Sequence, residues 1–227
     1  MERVPVEKKV LSENDRIAAE LRERFAQHHT FVMNCISSPG SGKTLLLERA
    51  LELLPKDLRV AVLTGDIQTD NDARRLARYG FPVQQITTAG ACHLDARMID
   101  RALAQWNGAP LDLLIIENVG NLVCPTSYDL GEACKVVILS VTEGADKPLK
   151  YPGAFFKSKL MVLNKVDLLP YVPFSVDEAR ANALSINPEL EILETSCTTG
   201  QGLGAWVEWI EKRLPAARES GFATMRT

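Results

Sequence analysis

Eight residues, Ser37-Ser38-Pro39-Gly40-Ser41-Gly42-Lys43-Thr44, have the types and spacing of a phosphate cradle. Gly40 and Gly42 let the backbone curl until its N–H groups converge on one point. A helix starting just behind them aims its positive end at the same point. Lys43 adds a mobile full charge for β- and γ-phosphates, and the Thr44 hydroxyl is a ligand for Mg²⁺. The candidate phosphate-binding residues are therefore Pro39, Gly40, Ser41, Gly42, Lys43 and Thr44. Ser37 stands where G-x-x-x-x-G-K-[ST] has its first glycine, a place another small residue can take. A plain glycine-rich turn before a lysine is the bland alternative. The flanks argue against it: Phe31–Ile36 is a short β-prone run, and Leu45–Leu54 is a strong helix former.

Asn164-Lys165-Val166-Asp167, about 120 residues downstream, has the form of a base reader. A carboxylate accepts from two donors, and guanine presents N1–H and an exocyclic amine on one edge. Asp167 then selects guanine, while Asn164 and Lys165 brace the loop and cover the ring. Ser196-Cys197-Thr198, ahead of Gly200, falls where a third base-contacting loop is expected, with Ser196 and Cys197 as backbone positions. Two acids, Asp66 and Glu117, end apolar runs and are candidates to hold Mg²⁺, directly or through water. Glu117-Asn118-Val119-Gly120 also reads as an E-x-x-G switch, in which the Gly120 N–H senses a γ-phosphate.

Cys92-His93 is a different signal. Two soft ligands adjoin each other just before a helix, and Cys124 lies seven residues past Glu117. Thiolate and imidazole suit Zn²⁺ or Ni²⁺. Three ligands leave a tetrahedral site open, to be completed by water, Asp95 or a second chain. An ordinary buried cysteine and a capping histidine are the alternative on spacing alone. Cys35, inside a strand, and Cys134, opening one, read as structural; His28-His29 reads as a solvated turn.

The elements that must position these residues alternate. Residues 12–26 form an amphipathic helix, capped by Ser12, with Ile17, Leu21 and Phe25 on one face. Strands follow at 31–36, 59–64, 83–87, 111–116, 135–141, 160–163 and 191–194. Helices open at Asn71 or Asp72, after Cys92-His93, at Ser175 and near Leu203; residues 225–227 are a frayed end. This is an α/β chain: a mostly parallel sheet of about seven strands with helices on both faces. Ligands in such sheets bind at the carboxyl ends of the strands. At 227 residues and 46% hydrophobic it makes one domain with additions: a helical extension at 1–30, a nucleotide domain at 31–215 and a tail at 216–227. A net charge of −3 and a pI near 5.7 disfavour a nucleic-acid binder. No apolar run reaches membrane-spanning length, and no signal core is present. Five scattered cysteines point to thiols or metal ligands.

Together these residues resemble the HypB family of hydrogenase nickel-incorporation GTPases, from about residue 10 to residue 214. The resemblance lies in residues 65–72, in Cys92-His93-Leu94-Asp95-Ala96, in Glu117 to Pro125, in Thr142 to Pro152 and in Asn164 to Tyr171. The urease accessory GTPases are the nearest relatives, but their Cys-Pro-His metal motif is missing. The resemblance implies a P-loop NTPase of the SIMIBI type, a slow cytoplasmic GTPase that dimerises with nucleotide. It implies Ni²⁺ or Zn²⁺ on Cys92, His93 and Cys124, a partner nickel metallochaperone, and delivery to a nickel–iron hydrogenase large-subunit precursor. The histidine-rich stretch and cysteine cluster of many members are absent, so nickel storage is not expected. Ala89 and Ala91 replace more usual glycines and would stiffen the metal loop.

The expectation is an Mg²⁺-dependent GTP hydrolase with Lys43, Thr44, Asp66 and Glu117 at its centre, cycling between GTP and GDP to switch a metal site. Its rivals are a non-catalytic, nucleotide-gated metal binder, an accessory GTPase for another nickel enzyme such as urease, and a small-molecule kinase, against which the guanine reader speaks.

Overall fold

The computed structural model describes residues 6–66, 71–88, 90–106 and 110–214. In chain order the elements are α1 (Val6–Gln27), β1 (Phe31–Ser37), α2 (Lys43–Leu53), β2 (Val60–Asp66), α3 (Asn71–Ala77), β3 (Val83–Thr87), α4 (Ala96–Ala104) and β4 (Leu113–Glu117). There follow α5 (Cys124–Ser127), β5 (Cys134–Ser140), α6 (Lys147–Lys150), α7 (Pro152–Phe156), β6 (Ser158–Asn164), a 3₁₀ turn (Val166–Tyr171), α8 (Val176–Ile186), β7 (Glu191–Thr195) and α9 (Leu203–Glu211). The seven strands form one sheet in the order β3-β2-β4-β1-β5-β6-β7, all pairs parallel.

Parallel strands need helical crossovers, and the crossovers cover both faces. Alternate side chains of β1 divide between them. Met33 and Cys35 pack with Leu46, Leu47 and Leu51 of α2, Leu76 of α3 and Trp206 and Ile210 of α9. Val32 points the other way, onto Ala18, Leu21 and Phe25 of α1 and Ile99 of α4. The β5–β6 end of that second face is closed by Phe155 of α7 and Ala183 of α8. Leu47 and Leu51 are fully buried, and truncating either to alanine costs about 2–5 kcal/mol.

Two expectations are corrected. α1 begins at Val6, so Ser12 lies inside the helix and does not cap it; the glutamate and lysines at 7–9 are good helix formers and carry the helix back toward Pro5. β6 starts two residues earlier than its apolar run, because Ser158 is buried with its hydroxyl on Ala154 O at 2.7 Å. The Ser175 cap does form, its hydroxyl accepting from Glu178 N at 3.2 Å. Ile67 to Asp70, Ala89, the first five residues and the terminus from 215 lie outside the described residues. Among the described residues no helix is long and apolar enough to cross a membrane.

Candidate functional site

β4 lies between β2 and β1, with Glu117 level with Thr64 on one side and Cys35 on the other. Three strand ends, Ser37, Asp66 and Glu117, therefore open onto the same edge. Beyond Ser37 the chain turns through Gly40 (φ 76°) and Gly42 (φ 91°) into α2. Both angles lie in the left-handed region that only glycine enters freely. At Gly42 a Cβ would also stand 2.6 Å from Asn164 Nδ2. The loop borders a cleft of about 370 Å³ shared with Asp72, Arg75 and Gly120.

At the base of the cleft, Glu117 Oε1 accepts from Lys43 Nζ at 2.8 Å and Thr44 Oγ1 at 2.6 Å. The Glu117 side chain is 2% exposed and that of Lys43 10%. Glu117 Oε2 is buried with no hydrogen-bond partner among the described residues, as is Ser41 Oγ. An ionised oxygen in that position needs a cation or donor. A carboxylate and a hydroxyl side by side form the hard oxygen set that Mg²⁺ prefers, so these residues fit the ion. Asp66 ends the neighbouring strand, its carbonyl accepting from Thr88 N at 3.0 Å.

The base-reading motif is tied to the phosphate loop. Asn164 Nδ2 donates to Ser41 O at 3.0 Å, and Lys165 Nζ to Gly40 O at 2.6 Å. Lys165 itself sits at φ 64°. Asn164 Oδ1 accepts from Thr195 Oγ1 at 3.1 Å and from the Cys197 thiol at 3.7 Å. Ser196 closes its own turn, Oγ accepting from Thr198 N and Thr199 N. Burial pushes the Cys197 thiol up to about 11, which leaves it an unreactive packing group. Cys134 is pushed up to about 12 by burial, and Cys35 is raised by burial as well.

Cys92, His93 and Cys124 come together from two loops. Their ligand atoms lie within 4.8 Å of one another, and among the described residues they are the one such group of histidine, cysteine or acid side chains. The Cys92 thiol donates to Cys124 Sγ at 2.9 Å, and Cys92 Sγ lies 3.9 Å from His93 Nδ1. That shared proton, then burial, holds the Cys124 thiol above its ordinary value. Burial lowers His93, so its imidazole is neutral at pH 7, the form a metal requires. Asp95 Oδ1 caps α4, accepting from Met98 N at 2.7 Å, and Asp95 lies outside the group whose ligand atoms are within 4.8 Å of one another. If this trio takes a divalent metal at pH 7, uptake is expected to release protons from the cysteine thiols and none from His93. Calorimetry in buffers of different ionisation heat checks this, and His93→Ala should leave the proton count unchanged.

A short stretch of chain joins the two sites. From Glu117 it passes Gly120, where a Cβ would lie 3.2 Å from Pro39 Cα. Asn121 bridges Ser37, and its Nδ2 donates to Cys92 O at 3.4 Å. Three further side chains carry no sequence motif that singles them out. Tyr128 stacks on His93, ring centroids 3.9 Å apart. Arg75 faces the cleft while pairing with the buried Glu48 at 2.7 and 3.0 Å. Asn34 is an amide inside an otherwise apolar strand, and that contrast is the legible sign of a buried polar contact.

Residues 31–194 match the family model of the CobW/HypB/UreG nucleotide-binding domain. A hydrogenase maturation factor HypB from Azotobacter vinelandii is 53% identical over 226 residues, covering 96% of this chain and 75% of that one. The chain belongs to the HypB family of hydrogenase maturation factors. Another member, the hydrogenase/urease maturation factor HypB of Helicobacter pylori, is 46% identical over 193 residues, 83% of this chain and 79% of that one. The crystal structure of HypB from Helicobacter pylori in complex with nickel superposes with a TM-score of 0.83 at 41% identity, covering 88% of this chain and 95% of that one. Membership in the family fixes the domain of residues 31–194 as nucleotide-binding.

Proposed function

We propose that this HypB-family chain is a slow, Mg²⁺-dependent GTPase whose nucleotide state opens and closes a nickel site, delivering nickel in the cytoplasm to a nickel–iron hydrogenase precursor. The observation that carries the reading is the stretch from Glu117 to Cys124. One end lies under the phosphate-loop lysine and the other supplies a metal ligand. In this reading residues 31–215 are the working domain, 1–30 an extension and 216–227 a tail.

The residues divide the work. Backbone amides of the phosphate loop and the Lys43 ammonium hold the β- and γ-phosphates. Hydrolysis is positioning plus charge neutralisation, with water as nucleophile. Mg²⁺, held by Thr44 with Glu117 or Asp66, would supply further neutralisation of the phosphate oxygens. Cys92, His93 and Cys124 take Ni²⁺ or Zn²⁺ as cargo, the remaining position falling to water or to a second subunit of a GTP-dependent dimer. A partner metallochaperone would load it.

Metal bound per chain with a GTP analogue, with GDP and without nucleotide tests the switch. Mg²⁺-dependent phosphate release tests the enzyme: none at all would leave a nucleotide-gated metal binder. Base selection has its own test. Asp167→Asn is expected to weaken GTP by roughly 5- to 150-fold, about 1–3 kcal/mol for a bidentate base contact, and to favour xanthosine nucleotides, whose carbonyl can accept from the amide. Competition binding decides, and an unchanged preference for GTP would remove Asp167 from base recognition.

A further inference from the structure

Asn118, next to Glu117, is fully buried, and both polar atoms of its side chain are bonded. Its backbone N–H donates to Cys35 O of β1 at 3.0 Å. Its Nδ2 donates to Asn34 Oδ1 at 3.1 Å, and Asn34 Nδ2 in turn donates to Glu132 Oε1 at 3.2 Å. Glu132 pairs with Lys135, also buried. This chain of bonds fixes the carboxamide with its oxygen toward Leu94. That oxygen accepts from Val119 N at 2.9 Å and from Leu94 N at 3.2 Å. Leu94 follows Cys92-His93 directly and is itself fully buried. Its side chain fills the space over Gly65, where a Cβ would stand 2.8 Å from Leu94 Cγ. The metal loop is thus clamped at Leu94: by its amide to β4's end, and by its side chain to the strand end carrying Asp66.

A clamp at this point has a mechanical meaning. Gly120 and Asn121 touch the phosphate loop, so a change at the γ-phosphate moves the stretch from Gly120 to Cys124. Cys124 changes its distance to Cys92 and His93 only if those two stay behind. Asn121 Nδ2, on the moving stretch, is bonded to Cys92 O and would otherwise draw the loop along. We infer that Asn118 is the positioning residue that anchors the Cys92-His93 loop, so that nucleotide-driven movement of Cys124 becomes a change in metal affinity. The inference rests on the switch reading above and adds the residue that makes the switch work. Asn118 touches neither the metal nor the phosphates; it acts through Leu94.

The sign of the effect separates this role from a structural one. A merely structural Asn118 would, on removal, weaken nickel binding in both nucleotide states. An anchor, on removal, lets the loop follow Cys124. Nickel titrations on the full chain with GDP and with a non-hydrolysable GTP analogue are the experiment. In the proposed switch GTP assembles the site and hydrolysis opens it, so in the wild type nickel is expected to bind more tightly with the analogue than with GDP, by roughly 5- to 150-fold. In Asn118→Ala the GDP-state affinity is expected to rise to within about 2-fold of the analogue state. A variant that keeps the wild-type ratio, or loses it through weaker binding with the analogue, overturns the anchor and leaves the switch standing. A wild type with equal affinities overturns the switch and the anchor together. Asn118→Ser, whose hydroxyl falls short of Leu94 N, repeats the test if the alanine variant does not fold. Wild-type amide exchange gives an independent reading. Leu94 N–H is expected to stay protected in both nucleotide states while residues 120–124 change. Protection at Leu94 that is lost on exchanging nucleotide overturns the anchor.

Discussion

Replacing Lys43 by alanine is expected to lower GTP hydrolysis by at least about 100-fold, the size of effect seen when one preorganised charge partner of a transition state is removed. The structure adds a second consequence. Lys43 Nζ is the cation bonded to Glu117, a carboxylate with a 2% exposed side chain. Its other bond on Oε1 comes from the neutral Thr44 hydroxyl, and Oε2 has no partner among the described residues. Removing the ammonium strands a buried negative charge, which costs about 3–5 kcal/mol. Lys43→Ala should therefore unfold at a lower temperature as well as turning over slowly. The pair Lys43→Ala with Glu117→Gln should recover most of that stability and none of the activity, because the amide no longer needs a counter-charge but the phosphates still do. Thermal unfolding and single-turnover phosphate release on the three variants separate the two effects. Undiminished turnover in Lys43→Ala would show that the phosphate loop is not the reacting site.

Cys124→Ala is expected to weaken nickel binding by more than about 100-fold, beyond the 10- to 100-fold typical of groups that only support a ligand. It should also erase any difference between nucleotide states, since in the proposed switch Cys124 is the ligand carried by the stretch that runs from Glu117 past the phosphate loop. Linkage makes the same difference visible from the other side: in one assembly state nickel must shift GTP affinity by the factor with which GTP shifts nickel affinity, commonly about 1–3 kcal/mol. Paired titrations, nickel against nucleotide and nucleotide against nickel, check both statements. Equal nickel affinity in the two nucleotide states of the wild type would reduce the protein to a GTPase with an independent metal site.

The fold was legible because its signals are local. Seven apolar runs separated by helical patterns demand parallel strands with covered faces, and Gly40 and Gly42 announce a loop whose backbone must enter the left-handed region. Cys92, His93 and Cys124 were visible as residue types, but they follow β3 and β4, which β2 separates, and only the crossing of the first loop over Gly65 at the end of β2 brings them together. Asp95 shows the limit of type alone. A carboxylate two residues past His93 reads as a candidate fourth ligand, and only the structure shows that one of its oxygens caps α4, which begins at Ala96. The buried amides were harder still. Asn34 and Asn118 carry no motif signature of their own, and their partners, Leu94 N and Glu132, lie 24 and 98 residues away along the chain. Arg75 and Tyr128 give no sequence signal for the same reason: neither lies within a phosphate, base or metal motif.

The bonds from Asn164 to Ser41 O and from Lys165 to Gly40 O bear on how the protein tells nucleotides apart. In the proposed reading, the side chains beside the guanine reader are also the struts of the loop that grips the phosphates. A nucleotide with a poorly matched base would disturb Asp167 and, through the adjacent Lys165, the carbonyls that set the curl of the loop. Discrimination would then be felt twice, once as weaker occupancy and again as slower turnover of whatever does bind. Measured base selectivity should therefore be larger in kcat/KM than in the ratio of equilibrium dissociation constants, with the excess carried by kcat.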